Sequence, residues 1–399
     1  MGETIMNVNT DIASSGSCSS NEFSSWEDID TNMNILRGIY GYGFEKPSPI
    51  QKKAVLPMID GKDIIAQAQS GTGKTGAFTV GTLCSINFEL KETQALLLAP
   101  TRELAKQTFN VISSLGSYVE NLTTQLLVGG TSSEDDAKSL KKNTPHIIVG
   151  CPGRVYDMLR RNNINHRNIK LIVLDEADEM LSRGFNEQIY NIFQYLDGNV
   201  QVCLFSATIP DDLMALTSKF MRDPIEILVK TEMLTLEGIQ QYKVNVDDDA
   251  SKYETIKDLY DSISMSQCII YCNSVRRVQD LYDAMMEDKF PVVFIHSNME
   301  REDRENAYSD FRDGKFRVLI SSNVTARGID IQQVNTVINF DICSSVHTYL
   351  HRIGRSGRWG RKGVAINFVT RRDDKFIRDI EQHYNTSIEE LPSSFVISE

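Results

Sequence analysis

Short apolar runs alternate with amphipathic stretches along this chain, and the alternation occurs twice. In the first half the runs fall at residues 63–67, 94–99, 146–150, 170–175 and 201–206, each β-branched or apolar and bounded by turn residues. Continuous apolar runs of that length are the pattern of parallel strands buried on both faces. Amphipathic stretches such as 103–115 and 188–196 separate them and carry a helical period. After about residue 230 the pattern restarts, with strands expected at 267–272, 292–296, 316–321, 336–340 and 364–369, and helices at 274–288, 301–313 and 373–384. Alternation of this kind predicts a doubly wound, mostly parallel α/β sheet with helices on both faces, and here it predicts two in tandem. Residues 231–236 form a short polar linker between a first domain, 23–230, and a second, 237–399. Residues 1–22 are dominated by Ser, Asn and Thr and are expected to be a disordered tail.

Composition narrows the classes of function. No apolar run approaches the roughly 20 residues of a membrane helix, and the polar N-terminus has no apolar core for a secretion signal. The seven cysteines are scattered and odd in number, which fits reduced thiols inside a cell. Cys268 and Cys272 share an expected strand with no second pair after it, so a zinc site there is disfavoured, and the six histidines show no ligand spacing. A net charge of −12 argues against a passive, permanently bound nucleic-acid protein. It leaves room for a locally basic groove whose grip depends on a second ligand.

The stretch Ala66-Gln-Ala-Gln-Ser-Gly-Thr-Gly-Lys-Thr75 follows an expected strand and opens a helix, the context a phosphate-binding loop requires. The loop Ala68, Gln69, Ser70, Gly71, Thr72 and Gly73 is mostly small residues, which let backbone N–H groups turn inward around an anion, and the helix N-terminus adds partial positive charge. Lys74 can reach the β and γ phosphates, and the Thr75 hydroxyl can ligate Mg²⁺. The strict pattern wants Gly where Ala68 stands. An acidic partner comes from Leu171-Ile-Val-Leu-Asp-Glu-Ala-Asp178: Asp175 emerges at the C-terminal edge of a central strand, placed to hold Mg²⁺, with Glu176 beside it to orient the attacking water.

Two further patterns concern a nucleotide. Phe44 and Gln51 lie seven residues apart; an aromatic can stack on a base, and an amide can pair with adenine N6 and N7. Taken alone, that stretch reads equally well as a proline-broken loop before a helix. The second half has no phosphate loop but carries His351-Arg-Ile-Gly-Arg-Ser-Gly-Arg358, whose arginines, three apart, can neutralise charge developing on a γ phosphate held by the first half.

These motifs, in this order, resemble those of the DEAD-box RNA helicases, and within that family its initiation-factor 4A branch; the resemblance covers nearly all of residues 23–399. It implies two RecA-like domains and ATP hydrolysis with Mg²⁺ that drives local RNA unwinding. It assigns Phe44, Gln51 and the upstream aromatic Trp26 to adenine reading, and Gly328 and Asp330 to the nucleotide. Ser206 and Thr208 belong to the Ser-Ala-Thr segment that couples hydrolysis to unwinding, and Arg355 and Arg358 resemble arginine fingers. RNA contacts are implied for Pro100, Thr101, Arg102, Gly129, Gly130, Pro152, Gly153 and Arg154, and in the second half for Asn273, Ser274, Ser322, Thr325 and Arg327. Contacts of this type read phosphate and sugar, so the implied partner is single-stranded RNA without sequence preference. The resemblance also implies a monomer, a scaffold of the initiation-factor 4G type, and a cytoplasmic setting with a nuclear one open.

The chain departs from the family pattern at four places: Cys151 for Thr, Ser321-Ser-Asn323 for Thr-Thr-Asp, Arg301 for Gln, and Ile342-Cys343 for Leu-Pro. The ATPase residues are intact. Three other readings remain open at this stage. They are an ATP-gated RNA clamp, a DNA helicase or other phosphate-loop ATPase, and a scaffold that competes for the partners of the initiation factor.

Overall fold

The computed structural model describes residues 23–68, 71–182, 184–209, 211–228, 239–263, 266–325, 334–356 and 363–392. The expected tail at 1–22 and linker at 231–236 lie outside them. Among the described residues the first half builds strands β1 (Ile64–Gln67), β2 (Ala95–Leu98), β3 (Thr124–Leu127), β4 (Ile147–Gly150), β5 (Leu171–Asp175), β6 (Gln201–Ser206) and β7 (Ile225–Leu228). They form one sheet in the order β3-β4-β2-β5-β6-β1-β7, and every pairing is parallel.

The second half repeats the plan with β8 (Ile239–Asn245), β9 (Gln267–Tyr271), β10 (Val292–Ile295), β11 (Val318–Ser321), β12 (Val334–Asn339), β13 (Gly363–Val369) and β14 (Glu389–Glu390). Their order is β10-β11-β9-β12-β13-β8-β14, again parallel throughout. Two tandem RecA-like sheets are thus the observed architecture.

The period of two along each strand explains why both faces are dry. Ala66, Leu97, Val149, Val173 and Phe205 enter one apolar cluster, while their neighbours Ile65, Leu96, Ile148, Ile172 and Leu204 enter the cluster on the opposite face. In the second sheet Cys268, Ile270, Ile320 and Ile338 face one way, and Ile269, Leu319 and Val337 the other. Each fully buried aliphatic side chain contributes about 1.5–3 kcal/mol, so a polar residue at any of these positions would be costly. The Cys268 and Cys272 thiols lie in this apolar interior, and burial pushes both well above the ordinary range, as inert core residues.

Candidate active site and nucleic-acid interface

Because all strands of a parallel sheet run the same way, their C-terminal ends collect on one edge. In the first half that edge gathers the loops after β1, β2, β3, β4, β5 and β6, the places where the sequence motifs stand. Register makes the neighbours specific: Gln67 lies beside Ser206 and Asp175 beside Phe205. The Ala68 N–H donates to Ser206 O at 3.0 Å, tying the phosphate loop to the Ser-Ala-Thr segment. Ala68 is absent from the residues of positive φ, so its methyl group is tolerated where the strict pattern has Gly. Gly71 (φ 83°) and Gly73 (φ 101°) do require the left-handed region.

The helix Lys74–Ser85 begins at Gly73 and packs on the helix Pro49–Ile59. Pro49 at the first turn pre-sets that second helix, and Gln51 Oε1 accepts from Ser48 N at 2.7 Å. Buried Gln51 then donates from Nε2 to Gly73 O at 3.3 Å, so the amide touches the phosphate loop. Phe44 stacks on buried Trp26 with centroids 6.3 Å apart and planes at 19°. A Cβ on Gly76 would lie 2.9 Å from the Phe44 ring, so glycine there lets the ring approach the helix. The three adenine-reading candidates are therefore one cluster against the loop.

Lys74 is buried; its Nζ donates to Ala68 O at 2.8 Å and lies 3.4 Å from Glu176 Oε1. Glu176 follows β5 in the left-handed region, φ 50°, a strained conformation for a residue with a Cβ and one that recurs at functional sites. Buried Asp175 is pushed up to about 7, first by burial and then by the Glu176 carboxylate, with Lys74 opposing. Its Oδ1 is buried without a hydrogen-bond partner. Asp178 is held by Thr208, whose Oγ1 donates to Oδ2 at 2.7 Å, and its N–H donates to Ser206 Oγ at 3.4 Å. This constellation fits a magnesium nucleotide. A Cβ on Gly73 would intrude on the cradle, 2.7 Å from Ser48 Oγ, and Asp175 offers an oxygen aimed at no protein donor.

The second half reaches this cluster through the helix Val346–Ile353 and the turn after it. His351 Nε2 lies 3.4 Å from Asp178 Oδ2, both side chains buried. Arg355 is buried one turn on, with Nε donating to His351 O at 3.3 Å. The equal spacing of the arginines suggests one shared face, but the structure separates Arg352 from Arg355. Arg352 turns into the second half instead, where it is fully buried. It donates to Asn323 Oδ1 (2.8 Å), Asn339 Oδ1 (3.1 Å), Asp341 O (2.7 Å) and Asn273 Oδ1 (2.7 Å). Asn323, the departure from the family's Asp, thus supplies a neutral acceptor to a buried guanidinium.

Arg352 was not singled out from sequence. Its only signal was membership of the arginine run, which does not say which arginine turns inward. Arg358, Gln69, Ser70, Arg327, Gly328 and Asp330 lie outside the described residues.

Most of the RNA candidates sit at the same strand ends. Thr101 caps the helix Arg102–Leu115, accepting from Leu104 N at 3.2 Å. The Arg102 guanidinium lies over Gly129 and Gly130; a Cβ on Gly130 (φ +84°) would stand 2.5 Å from Arg102 Nη1. Pro152 opens the helix Pro152–Arg160, and Gly153 faces open space. Arg154 is engaged within the protein, donating to Thr131 O at 2.8 Å and pairing with Asp136. Asn273 is fixed from three sides: N–H to Asp341 Oδ2 (3.0 Å), Nδ2 to Ile342 O (2.8 Å), and Oδ1 to Arg352.

Ser274 caps the next helix by accepting from Arg277 N at 3.3 Å. Ser322 is buried, and the buried Thr325 hydroxyl donates to Ser321 Oγ at 2.6 Å. A cavity of about 580 Å³ runs between the halves, lined by Arg102, Val128, Ile295, Arg304 and Thr325. Two ion pairs cross the same seam: Arg304 with Glu103 at 3.0 Å and Lys106 with Glu305 at 3.2 Å.

A DEAD/DEAH box helicase model matches residues 48–216, and a helicase conserved C-terminal domain model matches 251–360. The chain belongs to the DEAD-box helicase family. It is 51% identical over 370 residues to the ATP-dependent RNA helicase eIF4A of Kluyveromyces lactis, covering 93% of either chain. Among solved structures it is similar to S. cerevisiae Dbp5 bound to RNA and ADP BeF3, with a TM-score of 0.86 at 34% identity, over 93% of this chain and 96% of that one. It is also similar to Mss116p bound to single-stranded RNA and AMP-PNP, with a TM-score of 0.84 at 26% identity, over 94% of this chain and 81% of that one. Scores of this size over both halves require the halves to be placed relative to each other as in those complexes.

Proposed function

We propose that this chain hydrolyses ATP in the seam between its two sheets and uses closure of that seam to open short stretches of RNA duplex. The observation that carries the reading is the 3.4 Å contact between His351 of the second half and Asp178 of the first, beside the phosphate loop. Phe44 and Gln51 read the adenine, with buried Trp26 stacked behind the Phe44 ring. Backbone groups of residues 68–73 and the Lys74 ammonium hold the phosphates, and a phosphate that takes up the ammonium releases Glu176 from it. Thr75 and Asp175 would hold Mg²⁺, which would supply neutralising charge to the phosphates. Glu176 orients the water, Arg355 and Arg358 neutralise charge on the transferred phosphoryl group, and Gly328 and Asp330 take part in nucleotide binding. Ser206 and Thr208, bound to Asp178 and Ala68, link the tetrad to the phosphate loop.

RNA lies across both halves, over Pro100, Thr101, Arg102, Gly129, Gly130, Pro152, Gly153 and Arg154 in the first, and Asn273, Ser274, Ser322, Thr325 and Arg327 in the second. Moving a hinge from mostly open to mostly closed takes about 5.5 kcal/mol of differential binding, which two ligands bridging one gap can supply. Opening five duplex steps costs roughly 7 kcal/mol, so one closure opens a few pairs and unwinding is local and non-processive. The likeness to the yeast initiation factor supports a role in translation initiation, in the cytoplasm, as a monomer on a scaffold of the initiation-factor 4G type. The test is steady-state ATP turnover with single-stranded RNA, with DNA of the same sequence, and with Lys74→Ala. RNA alone should stimulate the wild-type chain. Equal stimulation by DNA, or activity of Lys74→Ala at the wild-type level, would overturn the reading.

A further inference from the structure

Glu176, Asp178 and His351 each place one potential ligand atom within 4.8 Å of the other two, and all three are buried. The nitrogen and one oxygen are 3.4 Å apart. Two ligands on a tetrahedral ion with bonds of about 2.0–2.1 Å stand about 3.3 Å apart, so this edge already has the length that a zinc-type ion requires. The Asp178 carboxylate is held at both oxygens, by the Thr208 hydroxyl donating to Oδ2 at 2.7 Å and the Glu179 N–H donating to Oδ1 at 2.9 Å, as second-sphere groups orient metal ligands. Sequence spacing does not reveal such a set, because its ligands come from halves that are more than 170 residues apart (Asp178 to His351).

We propose that the seam holds a second cation site, formed by Glu176, Asp178 and His351, that takes a borderline divalent ion of the zinc or cobalt class. The imidazole sets the class: Mg²⁺ prefers oxygen ligands and octahedral geometry, whereas an N,O set with open positions suits zinc and cobalt. The pocket has reason to accept more positive charge. Asp175, Glu176 and Asp178 bring three buried carboxylates together at one strand end. Because the ligands come from both halves, occupancy requires closure. An ion bound there clamps the seam and takes the carboxylate that would orient water. Zinc is therefore an inhibitor of turnover that acts apart from the Mg²⁺ site.

The test is Co²⁺ titration of the full-length chain with Mg²⁺ in excess, read by visible absorption, together with Zn²⁺ inhibition of RNA-stimulated ATP turnover. The wild type should bind one Co²⁺ with a tetrahedral-type band and no thiolate charge-transfer band. His351→Ala should lose the band and weaken Zn²⁺ inhibition, relative to its own uninhibited rate, by at least about 10-fold. His351→Cys should keep a band and gain the thiolate feature, which only a ligand at residue 351 can produce. Fluorescent-nucleotide binding by each variant reports folding independently of turnover. A band and an inhibition constant unchanged in His351→Ala, a thiolate feature already present in the wild type, or a folded His351→Cys without that feature would each overturn the proposal. None of these outcomes bears on whether RNA stimulates hydrolysis.

Discussion

Asp175→Asn should stabilise the protein while abolishing its turnover, and the stabilisation should depend on pH. The Asp175 carboxyl is raised from its usual 3.8 to about 7 because it is buried and faces Glu176. Between those values the folded chain holds a proton that the unfolded chain has released, so stability falls as pH rises from about 4 to about 7 and is flat above. With these two values the group costs the fold roughly 2 kcal/mol at pH 5 and roughly 4 kcal/mol at pH 8. Asparagine does not titrate, so its advantage over Asp should be roughly 2–3 kcal/mol larger at pH 8 than at pH 5. For a domain of this size that corresponds to about 5–10 °C in melting temperature. The assay is thermal unfolding of both proteins at the two pH values, without nucleotide and with a chelator present. An equal gain at both pH values, or a loss at pH 8, would refute the claim that burial and like charge set this carboxyl.

Other perturbations follow from single contacts. Gly130→Ala forces a Cβ at φ +84° to within 2.5 Å of Arg102 Nη1. It should cost about 1–2 kcal/mol of stability and weaken RNA binding several-fold, measured by fluorescence anisotropy with labelled RNA. Arg352→Met leaves acceptors on Asn273, Asn323 and Asn339 without their donor. It should destabilise the second half by about 3–5 kcal/mol in denaturant unfolding, and RNA affinity should fall with it because Asn273 loses one of its three anchors.

The sheet was legible in the sequence wherever a strand is buried on both faces. β2, β4, β5, β6, β9 and β11 are continuous apolar runs, and burial demands that pattern. The strands not foreseen are those whose surroundings demand less. β3 (Thr-Gln-Leu-Leu) and β7 (Ile-Glu-Ile-Leu) lie at the edges of their sheet with one side open, and β14 is only two glutamates long. β8 carries two Gln and a Lys yet sits beside β13, and buried Gln241 is satisfied by residues far along the chain, Thr386 and Tyr349. The phosphate loop and acidic tetrad were legible because each is contiguous and its chemistry is local. The seam was not. Arg304 with Glu103, Lys106 with Glu305 and His351 with Asp178 join residues far apart in the chain, and nothing in one segment names its partner in the other.

The central claim is that neither half holds a complete site. It is tested most directly by RNA-stimulated ATP turnover of residues 23–230 alone, beside the full chain and beside residues 237–399 added in trans. Without Arg355 and the RNA contacts of the second half, the first half should bind nucleotide but show no stimulation by RNA. Stimulated turnover by the first half alone, at the rate of the full chain, would contradict it.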